Sequence, residues 1–297
     1  MASGGSGRDN SIFFIPVFIL GVAMFLWFGK DILRLKQSRD AVTKAMSGDK
    51  ASAEKIIKDS SKNSKMAFAL ARCYWQGGCA GIEADPSKAL DNWIKIADMI
   101  PEAAFNVGLI YEKGMVHGKP DVEQAKQYYS RVHARIAGAA FRLGQILEES
   151  NPEEALKLYM EALSKDSNPM IAYKIGWLHY RNGGLDGLNT QEALKWFSKA
   201  AMKGFIPDAM YMMGYIHMKR TAMLTRNERI HVGMWYMLAA YRDKSGQYRR
   251  KVEPFWAQLS EEERARAKHK AEAFISSNLS KVRQVNSYDT LLLELNR

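Results

Sequence analysis

Few side chains in this sequence are spaced for catalysis or metal binding. None of the six histidines forms the His-x-x-x-His pair that would hold zinc on one helix face, and none neighbours a cysteine. No Gly-x-Ser-x-Gly motif occurs, and the glycine pairs end helix patterns, which argues against a phosphate-binding loop after a strand. The sequence therefore predicts no catalytic residue, no metal and no cofactor, and it indicates that the chain is not an enzyme.

The two cysteines, Cys73 and Cys79, also lack the second pair or histidine cluster that a zinc site needs. The favoured interpretation is a pair of free thiols in a reducing compartment. A local disulfide is the alternative if this part of the chain lies outside the cytosol.

Positive charge is the stronger chemical signal. The segment from Lys219 to Lys251 has nine basic residues and only two acidic ones, so it carries +7 of the chain's net charge of +11. The nine are Lys219, Arg220, Arg226, Arg229, Arg242, Lys244, Arg249, Arg250 and Lys251.

Such a basic patch attracts anions. Acidic segments of a partner protein are the predicted ligand, and anionic lipid, nucleic acid and a merely solvated face are the alternatives. Nucleic acid has less support because no known binding motif accompanies the bases.

The elements that position these residues are predicted to be helices in an internal repeat. The sequence is rich in good helix formers and has only 8 prolines, and no convincing alternating strand pattern occurs. Five similar segments align on a small residue at spacings of 37, 36, 32 and 38 residues: Ala71, Gly108, Gly144, Gly176 and Gly214. A second segment follows each. In the first four copies an alanine precedes an aromatic residue by four positions, at Ala89, Ala125, Ala155 and Ala193, and the fifth copy has Val232 before Tyr236. Two helices per period of about 36 residues predict hairpins that bury their apolar sides by stacking.

This pattern resembles the Sel-1-like repeat, a relative of the tetratricopeptide repeat. The second copy matches its motif at Gly108, Tyr111, Gly114, Asp121 and Ala125. The third copy departs from it, because "EESNPEEA" replaces the glycine-containing loop. The resemblance implies an all-α fold with an α/α solenoid of about five hairpins, and it implies a role in protein–protein contacts.

A membrane anchor is predicted before the repeats. Residues 11–29 contain no charge over 19 residues, which is close to the length that a helix needs to cross a bilayer. The predicted organisation is a short tail (1–10), a single transmembrane helix (11–29), juxtamembrane helices that cap the solenoid (30–63), the Sel-1-like solenoid (64–242), and a basic segment with a C-terminal capping helix (243–297).

The flanking charges predict the orientation of this anchor. Five bases follow the span within 15 residues, whereas Arg8 and the amino terminus, offset by Asp9, precede it. Because lysine and arginine favour the cytoplasmic side, we expect an inner-membrane protein with its N-terminus outside and its solenoid in the cytoplasm. The opposite orientation, with the solenoid in the periplasm or a lumen, is the alternative.

Local signals mark several helix ends. Asn168 is predicted to cap a helix that starts at Pro169, and Gly204 stands where a left-handed helix end is expected. Ser260 and Glu263 form a predicted capping box for the C-terminal helix. The final "SYDTLLLELNR" is predicted to be a docked helix, with a partner-binding peptide as the alternative.

The predicted function is a single-pass membrane scaffold or adaptor whose solenoid binds other subunits of a membrane complex. The narrower expectation is a bacterial secretion or conjugation machine of the type IV kind. The alternatives are a basic solenoid end that contacts anionic lipid or nucleic acid, and a regulatory subunit of a membrane-bound enzyme.

Overall fold

The computed structural model describes residues 33, 34, 36–183, 188–220, 223–281, 288 and 292. In this part of the chain the fold is all-α, with one isolated β-bridge between Cys79 and Ile82 and no strand. The helices are residues 36–46 (α1), Lys50–Ser60 (α2), Ser64–Gln76 (α3), Pro86–Ile96 (α4), Pro101–Lys113 (α5), Val122–Val132 (α6), Ala137–Leu147 (α7), Pro152–Lys165 (α8), Pro169–Gly183 (α9), Leu188–Gly204 (α10), Pro207–Lys219 (α11), Arg226–Arg242 (α12), Gln247–Ala257 (α13) and Glu261–Asn278 (α14). The pairs α3/α4, α5/α6, α7/α8, α9/α10 and α11/α12 coincide with the five predicted repeats.

The predicted transmembrane segment, residues 11–29, lies outside the described residues. Among the helices that are described, none combines the length and the apolar character that crossing a membrane requires.

Polar side chains at the loop ends start most of these helices. Asp85, Asp121 and Asn151 each accept a hydrogen bond from the backbone N–H three residues on, at 3.0–3.1 Å. Asn168 accepts from the N–H of Met170 at 3.0 Å, so the predicted cap of α9 is confirmed. These hairpins thus satisfy some of their free N–H groups with side chains that are close in sequence.

The chain divides into two compact units. The first comprises Met1–Ile110, Gly114–Lys119 and Leu292–Arg297, and the second comprises Tyr111–Lys113 and Pro120–Leu291. In the first unit α2 packs on α3 and α3 packs on α4, around a buried cluster that includes Ile56 and Leu70. In the second unit each hairpin packs internally and against the next, from α6 to α12.

The first unit contains a disulfide between Cys73, near the end of α3, and Cys79, in the loop that follows. Their Cα atoms are 5.6 Å apart, and both side chains are buried against the same apolar cluster. The favoured interpretation of two reduced thiols is therefore wrong for this structure, and the alternative of a local disulfide is the one observed. The sequence could not decide this, because a spacing of six residues is compatible with either state.

The nine small residues that define the repeat are all buried, as a contact role requires. They are Ala71, Ala89, Gly108, Ala125, Gly144, Ala155, Gly176, Ala193 and Gly214. Gly214 on α11 shows why the position is small. A Cβ atom there would lie 2.6 Å from the ring of Tyr236 on α12, so the two helices of this hairpin touch directly.

Replacing Gly214 by alanine is expected to lower the free energy of unfolding by about 1–3 kcal/mol, because the added methyl group overlaps the Tyr236 ring. The intrinsic preference of helices for alanine offsets less than about 1 kcal/mol of this loss. Urea denaturation followed by circular dichroism would measure the change. The second substitution Tyr236→Leu should restore part of the loss, and a Gly214→Ala variant as stable as the parent would contradict this packing.

The end of α10 differs from the prediction. Gly204 is the last helical residue, and the left-handed conformation falls on the next residue, Phe205, whose φ is 46°. Gly204 is small for another reason: a Cβ atom there would lie 2.5 Å from the Cβ of Pro169 at the start of α9. Gly204 has no side chain because the end of α10 and the start of α9 approach closely there.

The predicted C-terminal capping helix is confirmed as α14. Ser260 and Glu263 form the predicted capping box at its start. Its Phe274 packs edge-on against Phe205 and Trp235, with ring centroids 5.8 and 5.2 Å apart. In this way α14 covers apolar surface of the fifth repeat, as a solenoid cap must.

Candidate protein-interaction surfaces

The nine predicted basic residues lie at two ends of the fifth hairpin. Lys219, Arg220, Arg226 and Arg229 are at the end where α11 stops and α12 starts, and Arg242, Lys244, Arg249, Arg250 and Lys251 are at and beyond the other end of α12. The 13 residues from Arg229 to Arg242 rise about 20 Å along the helix. The bases are therefore in two groups, and their role in binding stays a prediction.

In the first group, two arginines are bound to the start of α14. Arg226 pairs with Glu262, and Arg229 donates to Glu263 at 3.0 Å and to the carbonyl of Gln258 at 2.6 Å. The pKa of Glu263 is lowered by the backbone N–H of Ser260 and by Arg229, so the carboxylate is charged and completes a half-buried ion pair. Arg229 thus holds the capping helix in place.

In the second group, aromatic rings support two bases, and the first is Arg242, which lies 5.6 Å from the centroid of Phe205. The Lys251 ammonium lies over the rings of Tyr248 and Tyr211, 5.1 and 5.6 Å from their centroids. Tyr248 in turn donates to Asp208 at 2.6 Å, and burial together with this hydrogen bond raises its pKa. Arg249 and Arg250 on the same helix are exposed, so this end presents positive charge to solvent.

A second kind of site, which the sequence did not predict, holds one residue near the C-terminus in the second unit. Arg142 on α7 donates from Nε and Nη2 to the carbonyl oxygen of Tyr288, at 3.1 Å each. The Tyr288 ring packs against Phe141 with centroids 5.1 Å apart, and its hydroxyl donates to Asp166. Tyr288 has a φ of 51°, so the helix predicted for this segment is not present at this residue.

Arg142 is buried, and contacts other than the one with Tyr288 position its side chain. Its Nη1 donates to Glu112 at 3.1 Å and to Gln145 at 3.3 Å, and only 6% of the residue is exposed. The same Glu112 carboxylate accepts from the hydroxyl of Tyr129 at 2.7 Å. The guanidinium therefore presents its remaining N–H groups in a set direction.

The first unit contains a comparable contact. Asn106 on α5 is fully buried, and its amide pairs with both backbone groups of Leu292. Its Oδ1 accepts from the N–H at 2.6 Å, and its Nδ2 donates to the carbonyl at 2.7 Å. Leu292 is not helical either.

The sequence matches the Sel1 repeat model at residues 64–99, 101–131, 137–167, 170–205 and 207–243. The chain belongs to the Sel1 repeat family. The match covers more than half of the chain and confirms the resemblance in all five copies, including the third with its altered loop.

A solved structure of a Sel1 repeat protein shares this fold. A Sel1 repeat protein from Oxalobacter formigenes aligns over 80% of this chain and 99% of its own, with a TM-score of 0.60 and 19% identity. The c5321 protective antigen of uropathogenic Escherichia coli, described as having an SLR fold, aligns over 79% of this chain at 16% identity and a TM-score of 0.49. The alignment spans 58% of the antigen's length. No curated protein matches the sequence.

Within the Sel1 repeat, Asn106 and Arg142 occupy the same register. Each stands two residues before the small residue of its repeat, Gly108 or Gly144. Lys174, two residues before Gly176, forms an ion pair with Glu148 at 2.9 Å. A buried polar residue in an otherwise apolar helix was the sequence signal that could have drawn attention to these sites, since such a group needs a partner.

The histidines of the fifth Sel1 repeat line a small cavity of about 320 Å³ with Arg220 and Glu228. Burial lowers the pKa of both His217 and His231, and the Nε2 atom of His231 accepts from the Trp235 indole at 3.0 Å. His231 is thus neutral and used in packing. Among the described residues, no group of three or more histidine, cysteine or acidic side chains could hold a metal ion.

Proposed function

We propose that this Sel1 repeat chain is a membrane-anchored scaffold that binds protein partners through its helical hairpins. Sel1 repeat proteins bind protein partners generally and are typically adaptors without catalytic activity. The anchor is the predicted span at residues 11–29, and the binding surfaces are the repeats and the basic residues of the fifth hairpin.

The observation that carries the proposal is the way Arg142 binds main chain. Two of its N–H groups donate to one backbone carbonyl, that of Tyr288, which is 146 residues away in the sequence. Binding of this kind depends on the peptide group and is therefore available to a segment of another protein. It supports a role in holding the main chain of partner segments.

Crosslinking in native membranes followed by mass spectrometry tests the scaffold proposal. We expect a defined set of membrane-complex subunits to be joined to residues of the repeats. Crosslinks confined to the chain itself and to abundant unrelated proteins would contradict it.

The basic residues at the far end of α12 are proposed to receive acidic segments of these partners. Reversing Arg249, Arg250 and Lys251 to glutamate should weaken partner capture at least tenfold at low salt, because complementary charge speeds association. Capture would be quantified by mass spectrometry over a range of salt concentrations. The matched control reverses three exposed lysines of the first unit, Lys55, Lys58 and Lys62, and should keep the partners.

If the triple variant retains every partner, the acidic-segment proposal is wrong. Binding of the parent chain to anionic liposomes or DNA that falls with salt and is lost in the same variant would favour the lipid or nucleic-acid alternative instead.

The narrower proposal is a subunit of a bacterial secretion or conjugation machine. It rests on the combination of a predicted anchor, a repeat fold for protein contacts and exposed positive charge. Crosslinked partners from another kind of membrane assembly, including a membrane-bound enzyme that the chain regulates, would replace it.

We also propose a compartment for the repeats. Two features of the chain favour opposite sides of the membrane. The bases after residues 11–29 favour the cytoplasm, whereas the Cys73–Cys79 disulfide favours an oxidising compartment, since cytosolic disulfides are rare. We give more weight to the disulfide because both sulfurs are buried in the folded repeat. The proposed orientation is therefore the reverse of the one that the flanking bases predict.

Labelling of an introduced cysteine tests this orientation. Met223 is 89% exposed, so a Met223→Cys variant should react with a membrane-impermeant maleimide in intact cells. The parent chain is the control and should stay unlabelled, because its two cysteines are joined and buried. Labelling of the variant only after the cells are permeabilised would return the repeats to the cytoplasm.

A further inference from the structure

The contacts of Tyr288 have the form of a bound peptide. We infer that Arg142, Phe141 and Asp166 form a tyrosine-binding subsite for peptide segments, which Tyr288 occupies in the free protein. A tyrosine-containing segment of a partner protein replaces Tyr288 there. This inference rests on the proposed scaffold function and names the chemistry of one partner segment.

Recognition of the main chain is built into the subsite. The Arg142 guanidinium is positioned by Glu112 and Gln145, so little side-chain freedom is lost when its Nε and Nη2 bind a carbonyl. Because the bond goes to a backbone oxygen, any residue could supply it. The selectivity of the subsite must therefore come from the side chain.

The side-chain contacts select a neutral tyrosine. Phe141 supports the ring, and Asp166 accepts the hydroxyl hydrogen. Burial and the Asp166 carboxylate raise the pKa of the Tyr288 hydroxyl, so it remains a donor at neutral pH. Phenylalanine would leave Asp166 without this bond, and a phosphate on the hydroxyl would face a carboxylate and be repelled.

Asn106 gives independent support from the first unit. It occupies the same repeat position as Arg142, and it binds the N–H and C=O groups of Leu292. Two repeats thus use this one position to hold main chain of the C-terminal segment. The recurrence indicates a binding mode of the repeat rather than a single chance contact.

Tyr288 acts as an internal competitor in this arrangement. A segment tethered to its own site is present at an effective concentration of the order of millimolar. The apparent affinity for an external peptide is then the intrinsic affinity multiplied by the fraction of sites that Tyr288 leaves vacant. Weakening the internal tyrosine should strengthen binding of an external one.

A fluorescence-anisotropy titration tests this. The probe is a labelled peptide of residues 283–297, "RQVNSYDTLLLELNR", and the proteins are the full-length parent chain and its Tyr288→Ala variant in detergent. We expect the peptide to bind the variant at least tenfold more tightly than the parent. A Tyr288→Phe variant, which keeps the ring, should fall between them.

Changes to the peptide and to the subsite test the chemistry. A peptide with phenylalanine in place of tyrosine should bind the Tyr288→Ala variant about tenfold more weakly, and a phosphotyrosine peptide should not bind. Adding Asp166→Ala should remove the preference for tyrosine over phenylalanine. Thermal melts establish that each variant is folded.

Equal peptide affinity in the parent and in Tyr288→Ala would overturn the inference, as would failure of the peptide to bind either protein. Tyr288 would then be a structural contact. These readouts use no cellular partner, so the inference can fail while the crosslinking test of the scaffold succeeds.

Discussion

Replacing Phe197 by alanine is expected to lower the free energy of unfolding by about 3–5 kcal/mol. Phe197 is fully buried on α10, its ring lies against Gly176 of α9, and it packs on Tyr173 with centroids 5.8 Å apart. Truncation removes this packing and leaves a cavity between α9 and α10. Urea denaturation of the second unit, followed by circular dichroism, would measure the loss.

The control for this variant is Tyr241→Ala on α12. Tyr241 is 66% exposed, so its truncation should change stability by less than about 0.5 kcal/mol. If the two variants lost the same stability, the packing of Phe197 would not be a main source of stability for its hairpin.

The second large effect is expected at Arg142. An Arg142→Met change keeps the length of the side chain but removes the N–H groups that Arg142 donates to the Glu112 carboxylate and to the Tyr288 carbonyl. Removing one partner of a buried ion pair costs about 3–5 kcal/mol, and Glu112 keeps only the hydroxyl of Tyr129 and the nearby Lys113 as compensation. Denaturant titration would give the change in unfolding free energy.

Arg135→Met is the matched control, because Arg135 is exposed in the loop before α7. Its effect should be close to zero. A loss of stability well below about 3 kcal/mol in Arg142→Met would mean that solvent reaches Glu112 when the arginine is gone. It would contradict the view that Glu112 and Gln145 hold the Arg142 guanidinium rigidly.

The repeat could be predicted from sequence because its signals are local and recur. Gly214 and Ala193 mark where helices touch, and the structure places both positions in the core. Caps such as Asn168 and Ser260 were predictable for the same reason, since each needs only a neighbour two or three residues away. At Gly204 the sequence predicts a left-handed helix end, but the structure shows that the glycine is needed for a close contact with Pro169. This contact joins two helix ends that are far apart in the sequence.

The interaction sites were less predictable because they depend on long-range pairing. The nine bases form one run in the sequence, yet the length of α12 separates them and Glu263 engages Arg229. The subsite at Arg142 joins residues 122 and 146 positions apart, which no local pattern encodes. The one sequence signal for this subsite is a charged residue, Arg142, at a repeat position that is expected to be buried.

The capping helix α14 also sets how many units the protein can add at that end. Phe274 occupies the aromatic surface of Phe205 and Trp235, where a sixth hairpin or the first hairpin of another molecule would otherwise stack. Repeat arrays with an open apolar end grow head to tail into filaments. The ion pair between Arg229 and Glu263 fastens α14 over this surface, and α14 thereby shields it from stacking on another copy of the chain.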